Sequence, residues 1–228
     1  MAKLTYHGHA TCSVEADDGT KIVIDPFFND NPMCAISVDD VEADFILVTH
    51  GHGDHIGDLL PLARRTGAQV ISTYEIVSWL GTLGIDNAHP LHIGGGNTFP
   101  FGYVKMTPAL HGGKIDGEGG EAFTTLPGGF LVNFNNGKRF HHAGDTALLM
   151  EMQLLAGKVD IALLPIGDNF TMGPEDAAKA VEFIMPEVVV PIHYNTWPPI
   201  EQDPEAFKAM VGDRARVEIV APGGTLEF

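Results

Sequence analysis

The chain of 228 residues carries 30 acidic against 13 basic side chains, a formal charge of −17, with 44% apolar and 19% charged residues. That balance belongs to a folded chain with a sizeable core rather than a disordered one, and its charge repels the phosphates of a nucleic acid. No apolar run can span a bilayer, the N-terminus has no secretory pattern, and Cys12 and Cys34 form no framework, so the expectation is a cytoplasmic protein with no membrane or nucleic-acid partner.

Residues 3–13 and 21–25 read as strands joined through the turn Asp17-Asp18-Gly19. Residues 45–48 form a short buried strand. A helix follows at Leu59, with Asp58 as N-cap and Pro61 in the first turn, where its missing N–H costs little. Residues 69–72 form a strand and residues 74–83 a helix closed by Gly84. His89 and His92 flank Pro90 in a loop-like stretch and read as solvent-facing. A strand-like run over 104–110 ends just before the glycine-rich loop 112–120. Residues 130–135 and 139–142 make a hairpin across Asn135-Asn136-Gly137. Two buried strands, 160–164 and 188–192, enclose a helix over 174–185 with Gly173 or Thr171 before it. A helix near 204–211 and a strand over 217–220 end the chain. Strands followed by strand–helix alternation, twice over, predict an α/β fold: an αββα sandwich of two mixed β-sheets flanked by helices. The expectation is a single domain, 1–228, built of two similar halves at about 1–115 and 121–228.

The densest chemistry lies in Thr49-His50-Gly51-His52-Gly53-Asp54-His55, directly after the apolar run Phe45-Ile46-Leu47-Val48. With 11 His in the chain, three at these offsets should arise by chance roughly 0.02 times. Imidazole nitrogens and carboxylate oxygens are ligands of Zn²⁺ and its neighbours. His50 and His52, two apart on an extended chain, point the same way; beyond Gly53, Asp54 and His55 project elsewhere. Four ligands in six residues do not close one tetrahedron but can seed two neighbouring ions. Further candidates stand at the ends of apolar strands: His111, Asp145 just past Gly144, and His193.

H-x-H-x-D-H after a short strand, a later His, a G-D-T aspartate and a final His resemble the metallo-β-lactamase superfamily over nearly the whole chain. Finer features resemble its uncharacterised metal-dependent hydrolases, related to the ascorbate-phosphate lactonases: Gly8-His9-Ala10, Ile24-Asp25-Pro26, His142-Ala143-Gly144-Asp145-Thr146, the run from Leu164 to Ala178, and His193-Tyr194-Asn195-Thr196-Trp197-Pro198. The resemblance implies the metallo-β-lactamase fold and a ligand set in which His50, His52 and His111 hold one ion, Asp54, His55 and His193 a second, and Asp145 bridges. The implied cofactor is two divalent metal ions, Zn first, with Mn, Ni or Fe as other candidates.

Two such cations bring a shared water near neutrality as nucleophile. The expected enzyme is a metal-dependent hydrolase that cleaves an ester, lactone or phosphodiester bond of a small metabolite. Asp54 is the candidate to orient the water and carry a proton, and His9 a second candidate for proton transfer. Asp25, His142, Phe170 and Trp197 are candidates for the substrate pocket, His142 also for orienting Asp145, with His141 facing the other way. Two alternatives stay open: an iron-dependent oxidoreductase on the same fold, and a non-catalytic metal-stabilised binding protein. A small-molecule substrate is the expected partner, and a homo-oligomer is left open.

Overall fold

The computed structural model describes residues 1–228. The chain folds into two seven-stranded sheets. The first orders its strands β14-β1-β2-β3-β4-β5-β6: β1 (Lys3–Gly8), β2 (Thr11–Glu15), β3 (Lys21–Ile24), β4 (Phe45–Leu47), β5 (Gln69–Thr73), β6 (Ala88–Leu91) and β14 (Thr225–Glu227). The second runs β13-β12-β11-β10-β9-β8-β7: β7 (Gly96–Phe99), β8 (Gly102–Pro108), β9 (Gly128–Phe134), β10 (Arg139–His142), β11 (Ile161–Pro165), β12 (Val188–Ile192) and β13 (Arg216–Val217). Each sheet is mixed. Strands β3 to β6 and β10 to β13 run parallel, while the others pair antiparallel.

Period-two alternation sorts the side chains into layers. Leu4, Tyr6, Cys12, Val14, Ile24, Leu47 and Ile71 of the first sheet meet Val104, Phe130, Val132, Phe140, Leu163 and Val190 of the second in one central core. On the outer face of the first sheet, Val23, Ile46 and Val70 pack under the helices α1 (Gly53–Ile56), α2 (Leu59–Thr66) and α3 (Tyr74–Thr82). On the outer face of the second, Leu131, Ala162, Leu164 and Val189 pack under α4 (Pro174–Ile184) and α5 (Pro204–Val211). The result is the four-layered αββα sandwich expected from the sequence. No helix is long and apolar enough to cross a membrane.

Several expectations change in detail. Residues 3–13 are two strands, because Gly8 (φ +100) and His9 (φ +57) turn the chain back on itself. Strands β6, β7 and β14 were not foreseen, so His89 lies in a strand; His92 lies just beyond it, exposed. The last predicted strand shrinks to β13. Asp58 does precede α2, yet its side chain does not cap the helix: Oδ2 accepts the N–H groups of Phe28 and Asn29 at 2.6 and 3.0 Å. The chain crosses between sheets from Leu91 to Gly96, ahead of the glycine loop where the sequence suggested the division, and β14 returns to pair with β1.

Candidate metal centre

The parallel strands end on one rim of the sandwich, and the chemistry is strung along it. Asp25 follows β3, His50 and His52 follow β4, Asp145 follows β10, and His193 follows β12; His111 arrives from β8. His52 is still extended (φ −70, ψ 149) where α1 begins, so His50 and His52 share one direction and the helical turn carries Asp54 and His55 away from them. Gly51, between the two histidines, leaves room for the glycine loop. A Cβ there would lie 2.7 Å from both Ile115 Cγ1 and Lys114 O, and the Gly51 carbonyl accepts Asp116 N–H at 2.8 Å. Gly144 takes a left-handed turn (φ +64) that aims Asp145 at the rim.

The donor atoms form two adjoining sets. His50 Nε2 and His111 Nε2 lie 3.0 and 3.2 Å from His52 Nδ1. Nitrogens 2.0–2.1 Å from a tetrahedral Zn²⁺ are about 3.3 Å apart, so this spacing suits one ion. In the second set, Asp54, His55 and His193 come together with His9, their donor atoms within 4.8 Å of one another. Asp145 lies between the sets: its Oδ2 is 3.4 Å from His111 Nε2 and 3.0 Å from His193 Nε2, and its Oδ1 is 3.4 Å from His55 Nε2. His55 Nε2, Asp145 Oδ1 and both ring nitrogens of His193 are buried with no hydrogen-bond partner. Buried polar atoms left unpaired cost about 1–3 kcal/mol each, which a cation shared among them would offset. The residues therefore fit divalent metal on geometry and on donor chemistry.

The electrostatics point the same way. Burial pushes the imidazoles of His50 and His111 down, leaving their lone pairs free. Burial also works to raise the carboxyl of Asp145, but His193 and His55 outweigh it and hold the group well below the usual carboxylate range. Burial works against a charged His55, yet Asp145, Asp25 and Asp54 surround it and raise it well above the ordinary value. Three carboxylates around one imidazole are a field that a cation satisfies better than a proton.

Asp25 and His142, expected on the pocket wall, are fully buried behind it instead. Asp25 (φ +50) accepts Thr49 N–H at 2.8 Å, Thr49 O–H at 2.7 Å and His55 Nδ1–H at 2.8 Å, which turns His55 Nε2 toward the rim. His142 donates from Nε2 to Ala10 O at 2.9 Å and accepts Gly144 N–H at 3.1 Å, so it braces the turn before Asp145 rather than the carboxylate itself. His9 sits at the site, its Nε2 3.0 Å from Asp54 Oδ2 and its Nδ1 2.8 Å from Thr196 Oγ1. Burial pushes its imidazole down to about 4. Trp197 stands edge-on to His9, with ring centroids 5.0 Å apart, and is about a third exposed; Phe170 is exposed on the loop after β11. Sequence reasoning missed Thr49 and Thr196. Thr49 abuts His50 and Thr196 lies three residues after His193, both within the quoted runs, and that closeness was the available signal.

Residues 20–194 match the model of the β-lactamase superfamily domain. The chain is 49% identical over 236 residues to a UPF0173 metal-dependent hydrolase of Heliobacterium modesticaldum, across 99% of this chain and 97% of the relative. It is 49% identical over 209 residues to the UPF0173 metal-dependent hydrolase YtkL of Bacillus subtilis, across 90% and 91% respectively. Among solved structures it is similar to Igni18, a metallo hydrolase of the archaeon Ignicoccus hospitalis, with a TM-score of 0.88, 39% identity, and coverage of 100% of this chain and 99% of that one.

Proposed function

The chain belongs to the β-lactamase superfamily and within it to the UPF0173 metal-dependent hydrolases, and from that premise we propose that it cleaves an ester, lactone or phosphodiester bond of a small metabolite at a dinuclear centre. The observation that carries the reading is the position of Asp145, within 3.4 Å of a histidine from each donor set. His50, His52 and His111 would hold one ion, Asp54, His55 and His193 the other, and Asp145 would join them. When bound, Zn²⁺ or a similar cation supplies Lewis-acid polarisation of the scissile group and a nucleophilic water at neutral pH.

The protein's own groups do the rest. Burial would raise the Asp54 carboxyl, but His55 and His9 outweigh it, so Asp54 is ionised and would accept a hydrogen bond from an attacking water. His9, neutral at pH 7, fixes Asp54 Oδ2 through its Nε2–H, and its own ring is held in place by the Thr196 hydroxyl at Nδ1, so it positions the carboxylate. The faces of Trp197 and Phe170 offer an apolar body its contacts. The two thiols are unpaired, in keeping with a reducing cytoplasmic setting.

Metal analysis with turnover on chromogenic ester, lactone and phosphodiester substrates tests the reading. Two equivalents of metal, turnover on at least one class, loss on chelation and recovery with Zn²⁺ or Mn²⁺ are expected. Iron with oxygen consumption would replace hydrolysis by a redox reaction, and tight metal without turnover would leave a binding protein.

A further inference from the structure

A cavity of about 230 Å³ lies on the outer face of the second sheet, between strands β8 to β10 and the 3₁₀ segment Met150–Leu155. Register places Lys105, Leu131 and His141 in one row across three strands, all on this face, with Thr107 further along β8. The metal-binding rim belongs to the strand ends; this cavity belongs to the sheet's back. Its walls are mostly apolar, with Leu131, Met152 and Leu155 around it and Leu154, 69% exposed, at the mouth.

Two polar groups in those walls lack partners. His141 is 2% exposed, and its Nδ1 lies 3.0 Å from Phe130 O. A carbonyl can only accept, so in the neutral ring Nδ1 carries the hydrogen and Nε2 is a bare lone pair. No protein group donates to it. Thr107 is 5% exposed, and its Oγ1 makes no hydrogen bond. At the back of the space water is poorly suited, since a buried water needs two to four polar partners and the walls there offer few. The volume exceeds the roughly 150 Å³ that accommodates benzene in an engineered apolar cavity. The rim carries Lys105 and Lys158 against Glu151, a local positive balance on an acidic protein. That balance favours the more acidic hydroxyl of a phenol over that of an alkanol, and methionine sulfur packs well on aromatic rings.

We propose that this cavity is a second ligand site, which takes a small hydroxylated aromatic whose hydroxyl donates to His141 Nε2 while the ring fills the space between Leu131, Met152 and Leu155. The site is independent of the metal centre and of the reaction proposed there.

Calorimetric titration of the metal-loaded protein with p-cresol and with 4-methylanisole, which lacks the donor, tests this. Saturable binding of p-cresol, at least tenfold tighter than the ether and unchanged after chelation, is expected. A crystal soaked in p-cresol should show the ring in the cavity. His141→Leu should weaken p-cresol at least tenfold. Thr107→Val, nearly isosteric and removing a hydroxyl sealed from the cavity, should leave p-cresol binding within threefold of the wild type, and Leu155→Trp should abolish it by filling the space. Equal affinity for the two probes, binding lost on chelation, or ordered water alone in the cavity of the soaked crystal would overturn the assignment.

Discussion

Asp25→Asn isolates the support behind the metal centre. The carboxylate is fully buried and accepts three hydrogen bonds of 2.7–2.8 Å, from Thr49 N, Thr49 Oγ1 and His55 Nδ1. An amide keeps one acceptor and turns the other atom into a donor. Facing Thr49 N–H, that donor meets a proton that cannot move. Facing the other way, it meets Thr49 Oγ1, which can rotate, and His55 Nδ1, which must give up its hydrogen. The second arrangement costs less, and it shifts the His55 hydrogen to Nε2, the very atom left without a partner at the rim. Hydrogen bonds to a charged acceptor contribute about 1.5–3 kcal/mol each, so weakening two of them should cost the metal-free protein roughly 2–4 kcal/mol. Loss of an outer partner typically lowers metal affinity about 10–100-fold, or about 1.4–2.8 kcal/mol. The assay is urea denaturation of the chelated protein, paired with competition for Zn²⁺ by a chromogenic chelator that resolves each equivalent. One equivalent should weaken, while the one proposed at His50, His52 and His111 changes less. A variant with an unchanged urea midpoint and two equivalents bound as tightly as in the wild type would refute the argument.

Three further outcomes are expected. Asp145→Ala should lose metal, measured by atomic emission, and turnover together, while its far-UV circular dichroism stays native, because no core strand depends on that carboxylate. Gly144→Ala should destabilise the protein by about 1–3 kcal/mol in urea and lower metal content, since φ is +64 and the new Cβ would lie 2.7 Å from Gly128 O. Burial pushes His141 down to about 4 from an unfolded value near 6.5. The unfolded chain therefore binds the extra proton, so this contribution is complete above pH 6.5 and is lost as pH falls toward 4, by roughly 3 kcal/mol in all. His141→Leu should show a correspondingly shallower loss of stability over that window, and an identical slope would contradict the assignment.

What could be read from the sequence was local. The motif from His50 to His55, the Asn135-Asn136-Gly137 hairpin and the helix starting at Pro174 each announce themselves within a few residues, and each forms. Strand β6 does not, because Ala88-His89-Pro90-Leu91 carries a proline that only a sheet edge tolerates, and β6 is that edge. Strand β14 is three residues long and takes its meaning from β1, at the far end of the chain. The break at Gly8-His9 hides inside a run that alternates like one strand. At the site, the side chains that converge could be picked out because each ends a strand or sits in the motif. The roles of Asp25 and His142 could not, since whether a buried polar side chain faces a pocket or a neighbour depends on tertiary register.

The donor sets draw on both sheets: His9, His50, His52, Asp54 and His55 from the first, His111, Asp145 and His193 from the second. A bound cation is thus a rivet through the seam of the sandwich, and its binding energy adds to the cohesion of the two slabs. Amide exchange should register this unevenly. Stripping the metal should speed exchange at the strand ends beside His50, His111, Asp145 and His193, while the middles of β9 and β11 stay protected.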